Sequence, residues 1–332
     1  MLLSRRQVLV LAIGLGLGSK VLPTHSATRQ KLRIGLISDL NGSYGSTSYI
    51  TSVHRGLRQL IALRPDLVVC AGDMIAGQKH GLQDTQLDAM WAGFARSVLQ
   101  PLQSARIPLL PALGNHDAAP DFPADRAAVR RFWSPLRPQI RLPFVDASQF
   151  PFRYTVLHQG VFWLIWDASS AQISDDGLTW ARQQLASSAA ATADVRFVVG
   201  HLPMIGISQG KDRPGEILNR WTVLNDLMET ANVQAYISGH HHAWYSSRLG
   251  QIDLIQLGAL GSGPRQLLQG GPPAQQTHTL LEIDREQHAL TETTYLVSTG
   301  QPQPWSAIPP SLLTRRGVLR RNLAKRSLRS RP

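Results

Sequence analysis

Several short apolar runs in this 332-residue chain stop on side chains that can hold a cation or move a proton. Residues 32–37 lead into Asp39 and Asn41, and residues 67–71 into Gly72-Asp73. Residues 107–113 lead into Gly114-Asn115-His116-Asp117, 195–199 into Gly200-His201, and 233–237 into Gly239 with His240, His241 and His242. A turn explains any one of these, and Asn41-Gly42 is a strong turn dipeptide. Turn statistics do not explain five placements in one chain. Carboxylates, amides and neutral imidazoles are donors for Mn, Fe, Zn or Co. The one cysteine, Cys70, sits inside an apolar run, so no disulfide or thiolate cluster is available and an inert buried thiol is expected. Glycine before Asp73, His201 and His240 permits a tight turn or a close backbone approach. On an extended segment His240 and His242 point the same way and His241 the other.

Such residues need a frame that gathers strand ends. Further apolar runs lie at 152–157, 161–166, 252–257, 278–283 and 289–296. Helical spacing fills 51–63, 84–104, 124–132, 177–188 and 218–231. Strands alternating with helices predict an α/β fold, whose ligands gather at the carboxyl ends of strands. The later strands follow one another directly, with His158-Gln159-Gly160 as a hairpin turn. A mixed sheet or two packed sheets fits better than one parallel sheet. No internal repeat is visible.

The net charge of +12 suggests a nucleic-acid binder, but its distribution does not. Three cations lie in residues 1–27 and eight in 311–332, neither segment carrying an acid, so residues 28–310 are nearly neutral. Arg5-Arg6 precede an eleven-residue apolar run, Val8 to Gly18, too short and glycine-rich for a typical membrane span. Residues 1–27 resemble a twin-arginine export signal, with a membrane anchor or a general secretory signal as the alternatives. That predicts an exported, periplasmic or equivalent protein that meets the export machinery. Residues 301–332 read as a Pro-rich linker and a basic tail. A solvated tail is the simpler expectation; a basic amphipathic helix on an anionic membrane surface or nucleic acid is the other.

The ordered set Asp39, Gly72-Asp73, Gly114-Asn115-His116-Asp117, Gly200-His201 and Gly239-His240-x-His242 resembles the calcineurin-like metallophosphoesterases. The resemblance runs over roughly residues 32–260. It implies a 28–300 domain with two packed mixed β-sheets flanked by helices, a four-layer αββα sandwich. It also implies two divalent metal ions (Mn, Fe, Zn or Co) that activate water for attack on a phosphomonoester or phosphodiester. Carried over residue by residue, Asp73 bridges the metals, Asp39 and His242 hold the first, and Asn115, His201 and His240 hold the second. Asn115 also assists substrate binding. His116 is the general acid and Asp117 orients it.

Position 41 departs from the family's Asp-x-His. Asn41 is either an amide ligand of the first metal or a plain turn residue. The latter opens a different reading: a catalytically weak phosphate- or partner-binding module with a defective first site. The loop after residues 67–71 lacks the tyrosine that would give a tyrosinate-to-iron colour. Arg265 is a phosphate contact or a surface arginine, and His241 a supporting group or a substrate contact. Trp244 and Tyr245 line the mouth of the site or belong to the core.

Overall fold

The computed structural model describes residues 30–329, so the expected export signal, residues 1–27, lies outside the described residues. In chain order the strands are β1 (Lys31–Ile37), β2 (Leu67–Ala71), β3 (Leu109–Ala112), β4 (Phe144–Gln149), β5 (Arg153–His158), β6 (Val161–Ile165), β7 (Val195–Val199), β8 (Ala235–Ser238), β9 (Tyr245–Leu249), β10 (Ile252–Gln256), β11 (Thr277–Asp284), β12 (Ala289–Leu296), β13 (Ser311–Thr314), β14 (Gly317–Arg321) and β15 (Lys325–Ser327). They form a six-stranded sheet, β15-β12-β11-β1-β2-β3, and a nine-stranded sheet, β13-β14-β9-β10-β8-β7-β6-β5-β4. In the first, parallel β1-β2-β3 form one side and antiparallel β11, β12 and β15 the other; in the second, β6-β7-β8-β10 form a parallel centre with antiparallel strands outside.

Side-chain alternation sets the layers. On β1, Leu32, Ile34 and Leu36 enter the core between the sheets, with Leu67, Val69, Trp163, Phe197 and Ile237 from other strands. Val68 and Cys70 of β2 face the opposite way, into a core covered by the helices Thr51–Ala62, Asp84–Phe94 and Pro123–Leu136. The outer face of the nine-stranded sheet is covered by Asp175–Leu185 and Trp221–Thr230. This is the expected four-layer arrangement. Cys70 is buried among apolar neighbours, and burial pushes its thiol well above the usual range, so it is inert. Gln159 and Gly160 form the two-residue β5–β6 turn with φ of 47° and 74°, the pair of positive values a type I′ hairpin needs.

The C-terminal segment corrects the solvated-tail expectation. β13 and β14 extend the nine-stranded sheet beyond β9, and β15 closes the six-stranded sheet against β12. The reason is electrostatic as well as apolar. Arg326 donates to Asp253 Oδ2 and Glu292 Oε2, both at 2.8 Å, and those carboxylates are buried, 0% and 1% exposed. The basic residues that suggest a tail in the sequence are in part the counter-ions of buried acids.

Candidate metal centre

The parallel strands β1, β2 and β3 of one sheet, and β7 and β8 of the other, end at one edge of the sandwich. Backbone bonds lock the loops there. Asp39 N–H donates to Gly72 O (3.0 Å), Leu40 N–H to Asp73 O (2.9 Å) and Gly239 N–H to His201 O (3.0 Å). His240 N–H donates to both Asp39 carboxylate oxygens (3.2 and 3.0 Å), and His116 N–H to Asp73 Oδ1 (2.9 Å). Asp39, Asp73, His240 and His242 all hold positive φ, 54°, 54°, 68° and 52°. Each such residue costs about 1–3 kcal/mol and persists only where the surroundings over-determine it. Gly239 is required by space: a Cβ there would run into Ser38 Oγ and Asp39 Oδ2.

Two sets of donors result, and they share one member. Asp73, His201 and His240 offer ligand atoms within 4.8 Å of one another, and so do Asp39, Asp73 and His242. The proton positions follow from carbonyls, which only accept. His201 Nδ1–H donates to Ala71 O (2.7 Å), leaving the Nε2 lone pair aimed at Asp73 Oδ2, 3.2 Å away. His242 Nδ1–H donates to Gly263 O (2.9 Å), leaving Nε2 aimed at Asp39 Oδ1, 3.2 Å away. Two acceptors facing each other at that distance repel unless a cation lies between them. Without a metal the cation is a proton: burial opposes charge on His201, yet Asp73 raises it to about 9. Burial likewise opposes ionisation of Asp73 and Asp39, and their imidazole neighbours outweigh it and hold both carboxyls below the usual range. Buried and without a hydrogen-bond partner, His201 Nε2 and Asn115 Oδ1 complete a donor set that fits divalent metals.

His240 is supported from behind. Its Nε2–H meets Glu216 Oε2 at 2.7 Å, so Nδ1 keeps the lone pair. Lys211 Nζ pairs with the same Glu216 oxygen at 2.7 Å. Burial lowers His240 to about 4, against the pull of Glu216, so the ring is neutral at physiological pH. This carboxylate–imidazole pair fixes the tautomer and raises the ring's basicity. Glu216→Gln should therefore weaken metal affinity about 10–100-fold. A competition titration against a chromogenic chelator measures this, and unchanged affinity would remove Glu216 from the site. Sequence reading missed Glu216 and Lys211. The one available signal is an acid and a lysine in the long segment between His201 and His240.

Other expected residues divide. Asn115 Nδ2 donates to Gln78 Oε1 (2.6 Å), which fixes the amide. His116 Nδ1 is held by Gly77 O at 3.2 Å, and its Nε2 lies 3.9 Å from Asp73 Oδ2. Asp117 does not orient His116. Its carboxylate accepts from Met74, Ile75 and Gly114 N–H at 2.8–2.9 Å, joining the loops after β2 and β3, and burial with the Asp73 charge pushes it up to about 7. Asn41 is buried, and its Oδ1 accepts the Ser262 hydroxyl. His241 is corrected as a substrate contact: wholly buried, it accepts from Ile207 N–H and meets Glu216 O, both at 3.2 Å, and so carries the segment that bears Glu216. Arg265 is exposed, with its N–H on His242 O (3.0 Å). Trp244 and Tyr245 are buried core, their polar atoms on Glu292 and Pro309. Tyr44, half exposed, packs its ring 5.1 Å from that of His116.

The fold and this centre define a metallophosphoesterase. The chain belongs to the calcineurin-like phosphoesterase family, whose model matches residues 32–244. Among curated proteins none matches the sequence significantly. A dimetal phosphatase from Danio rerio superposes with a TM-score of 0.54 at 13% identity, over 80% of this chain and 96% of that one. GAP50, the anchor in the inner membrane complex of Plasmodium, superposes with a TM-score of 0.55 at 13% identity, over 91% and 90%. At such identity these likenesses concern the fold.

Proposed function

We propose that the chain is a phosphoric ester hydrolase dependent on two divalent metal ions, acting on a phosphomonoester or phosphodiester outside the cytoplasm. The observation that carries this is the shared Asp73 carboxylate, flanked by His201 and His242 rings whose bare nitrogens face carboxylates. When bound, divalent cations held by Asp39, Asp73, Asn115, His201, His240 and His242 would stabilise charge on phosphoryl oxygens and acidify a water. The side chains do the rest. Asp39 and Asp73 supply the negative charge that selects cations, and Glu216 keeps His240 in the ligating tautomer. His116, with Nδ1–H fixed on Gly77 O, carries on Nε2 the proton that the departing alkoxide takes. The extracytoplasmic setting rests on residues 1–27.

The test is hydrolysis of paired chromogenic monoester and diester substrates by residues 28–332, chelated and then reloaded with Mn. Turnover that returns with the metal supports the proposal, and the substrate ratio narrows the class. His116→Ala should keep its metal but lose about 10²–10⁴ in rate, most for poor leaving groups. Metal content measured beside a leaving-group series checks this; an empty site in the variant would refute the acid role. The Ser262–Asn41 bond favours a second reading, a weakly catalytic binding module, because it occupies the amide oxygen Asn41 would offer. One metal per chain with no turnover on either substrate would select it.

A further inference from the structure

β13 and β14 form an antiparallel hairpin whose two faces differ sharply. Leu312 and Leu319 turn inward to the helix-covered core. Leu313 and Val318, opposed in register, turn outward and are 66% and 64% exposed. Leu323, two residues beyond β14, is 70% exposed. These are the three most exposed large apolar side chains among the described residues, and all lie within one short stretch of chain. Single exposed leucines are ordinary, but an outward cross-strand pair is a patch.

The exposed charges of the hairpin itself have one sign, although Asp212 Oδ2 of a neighbouring segment accepts from Arg315 N–H (2.7 Å). Arg315, Arg320 and Lys325 are exposed, and residues 311–329 contain no acid. The segment's other arginines are spent internally: Arg316 on Leu218 O, Arg321 on Ile308 O, Arg326 on Asp253 and Glu292, and Arg329 on Val233 O. Arg315 and Arg320 are thus left over once the fold's own needs are met, whereas Lys325 Nζ donates to Gln287 Oε1 (2.7 Å). Strand addition by a second copy is blocked, because Gln269 takes both polar groups of Leu313, its Oε1 accepting from the N–H and its Nε2 donating to the O, each at 2.9 Å. The exposed apolar groups are aliphatic, whereas single-stranded nucleic acid is gripped by aromatic stacking.

We propose that this hairpin face docks the protein on an anionic lipid bilayer. Leu313 and Val318 enter the boundary between headgroups and acyl chains, and Arg315 and Arg320 meet the lipid phosphates. The patch includes none of the residues of the metal centre.

The experiment is co-sedimentation of metal-loaded residues 28–332 with vesicles of phosphatidylcholine alone, and with vesicles in which a third of the lipid is phosphatidylglycerol. Binding is expected to the anionic vesicles only, and to fall as salt rises. Leu313→Ser with Val318→Ser, and separately Arg315→Glu with Arg320→Glu, should each weaken binding about tenfold or more while melting temperature and esterase turnover stay unchanged. Equal binding to both vesicles, or binding indifferent to both variants, would overturn the proposal. So would tight retention on polyuridylate unaffected by the Leu313 and Val318 changes, which would mark a polyanion site without a lipid component. The vesicle preference of the unaltered protein is read without any variant, so misfolding of a variant leaves the proposal exposed to refutation.

Discussion

Asp73→Ala protein is expected to hold fewer than one metal per chain and to lose at least about 10³ in ester turnover. Asp73 alone belongs to both donor sets. Its loss removes a ligand from each and leaves His201 without the carboxylate that faces it. Metal charge at a phosphoryl centre is worth several kcal/mol, and each 1.36 kcal/mol is tenfold in rate. The variant also loses the Oδ1 acceptor for His116 N–H, so stability must be followed beside activity. Metal analysis, turnover and a urea midpoint on the same preparation separate the effects. A folded variant with two metals and full turnover would show that the carboxylate does not join the two sites.

Arg326→Ala is expected to destabilise the fold by about 3–5 kcal/mol, the range for breaking a buried pair from one side. The arginine side chain is 4% exposed and its two carboxylate partners 0%. It stands on β15 of one sheet, with Glu292 on β12 of the same sheet and Asp253 on β10 of the other, and so ties the sheets at one edge. Burial works against its charge, but Glu292 and Asp253 outweigh burial and raise its pKa. Asp253 keeps Gln234, Arg248 and Asn322 in the variant, and Glu292 keeps Trp244 and Ser246, but the cation between them is gone. The urea midpoint should fall with little change in slope. Arg326→Met combined with Asp253→Asn and Glu292→Gln should recover much of the loss, because neutral groups no longer need a counter-charge. A loss below about 1 kcal/mol for Arg326→Ala would mean that the segment packs without holding the sheets.

The sequence by itself determined the order of the donors and the strands that carry them. Short apolar runs broken by Asp, Asn or His are local signals, and β1, β2, β7 and β8 lie within two residues of their predicted positions. The element pattern also carried the layered fold, because period-2 and helical spacing are set by neighbours in the chain. Less was legible at β4, where Phe144–Gln149 is half exposed and its alternation weak, and at β9, Tyr245–Leu249, where no apolar run stands out.

What only the tertiary structure decided are contacts between distant residues. The proton positions on His201 and His242 depend on the carbonyls of Ala71 and Gly263, 130 and 21 residues away. Glu216 becomes the partner of His240 through contacts between distant residues, buried His241 meeting its carbonyl oxygen. Asp117 follows His116 in the chain yet turns to the N–H groups of Met74 and Ile75. The basic C-terminus reads as a solvated tail because Asp253 and Glu292, which neutralise Arg326, are 73 and 34 residues earlier. Residue type and spacing fix which chemistry is available. Coulomb attraction and hydrogen-bond direction across the closed sandwich decide which groups carry it out.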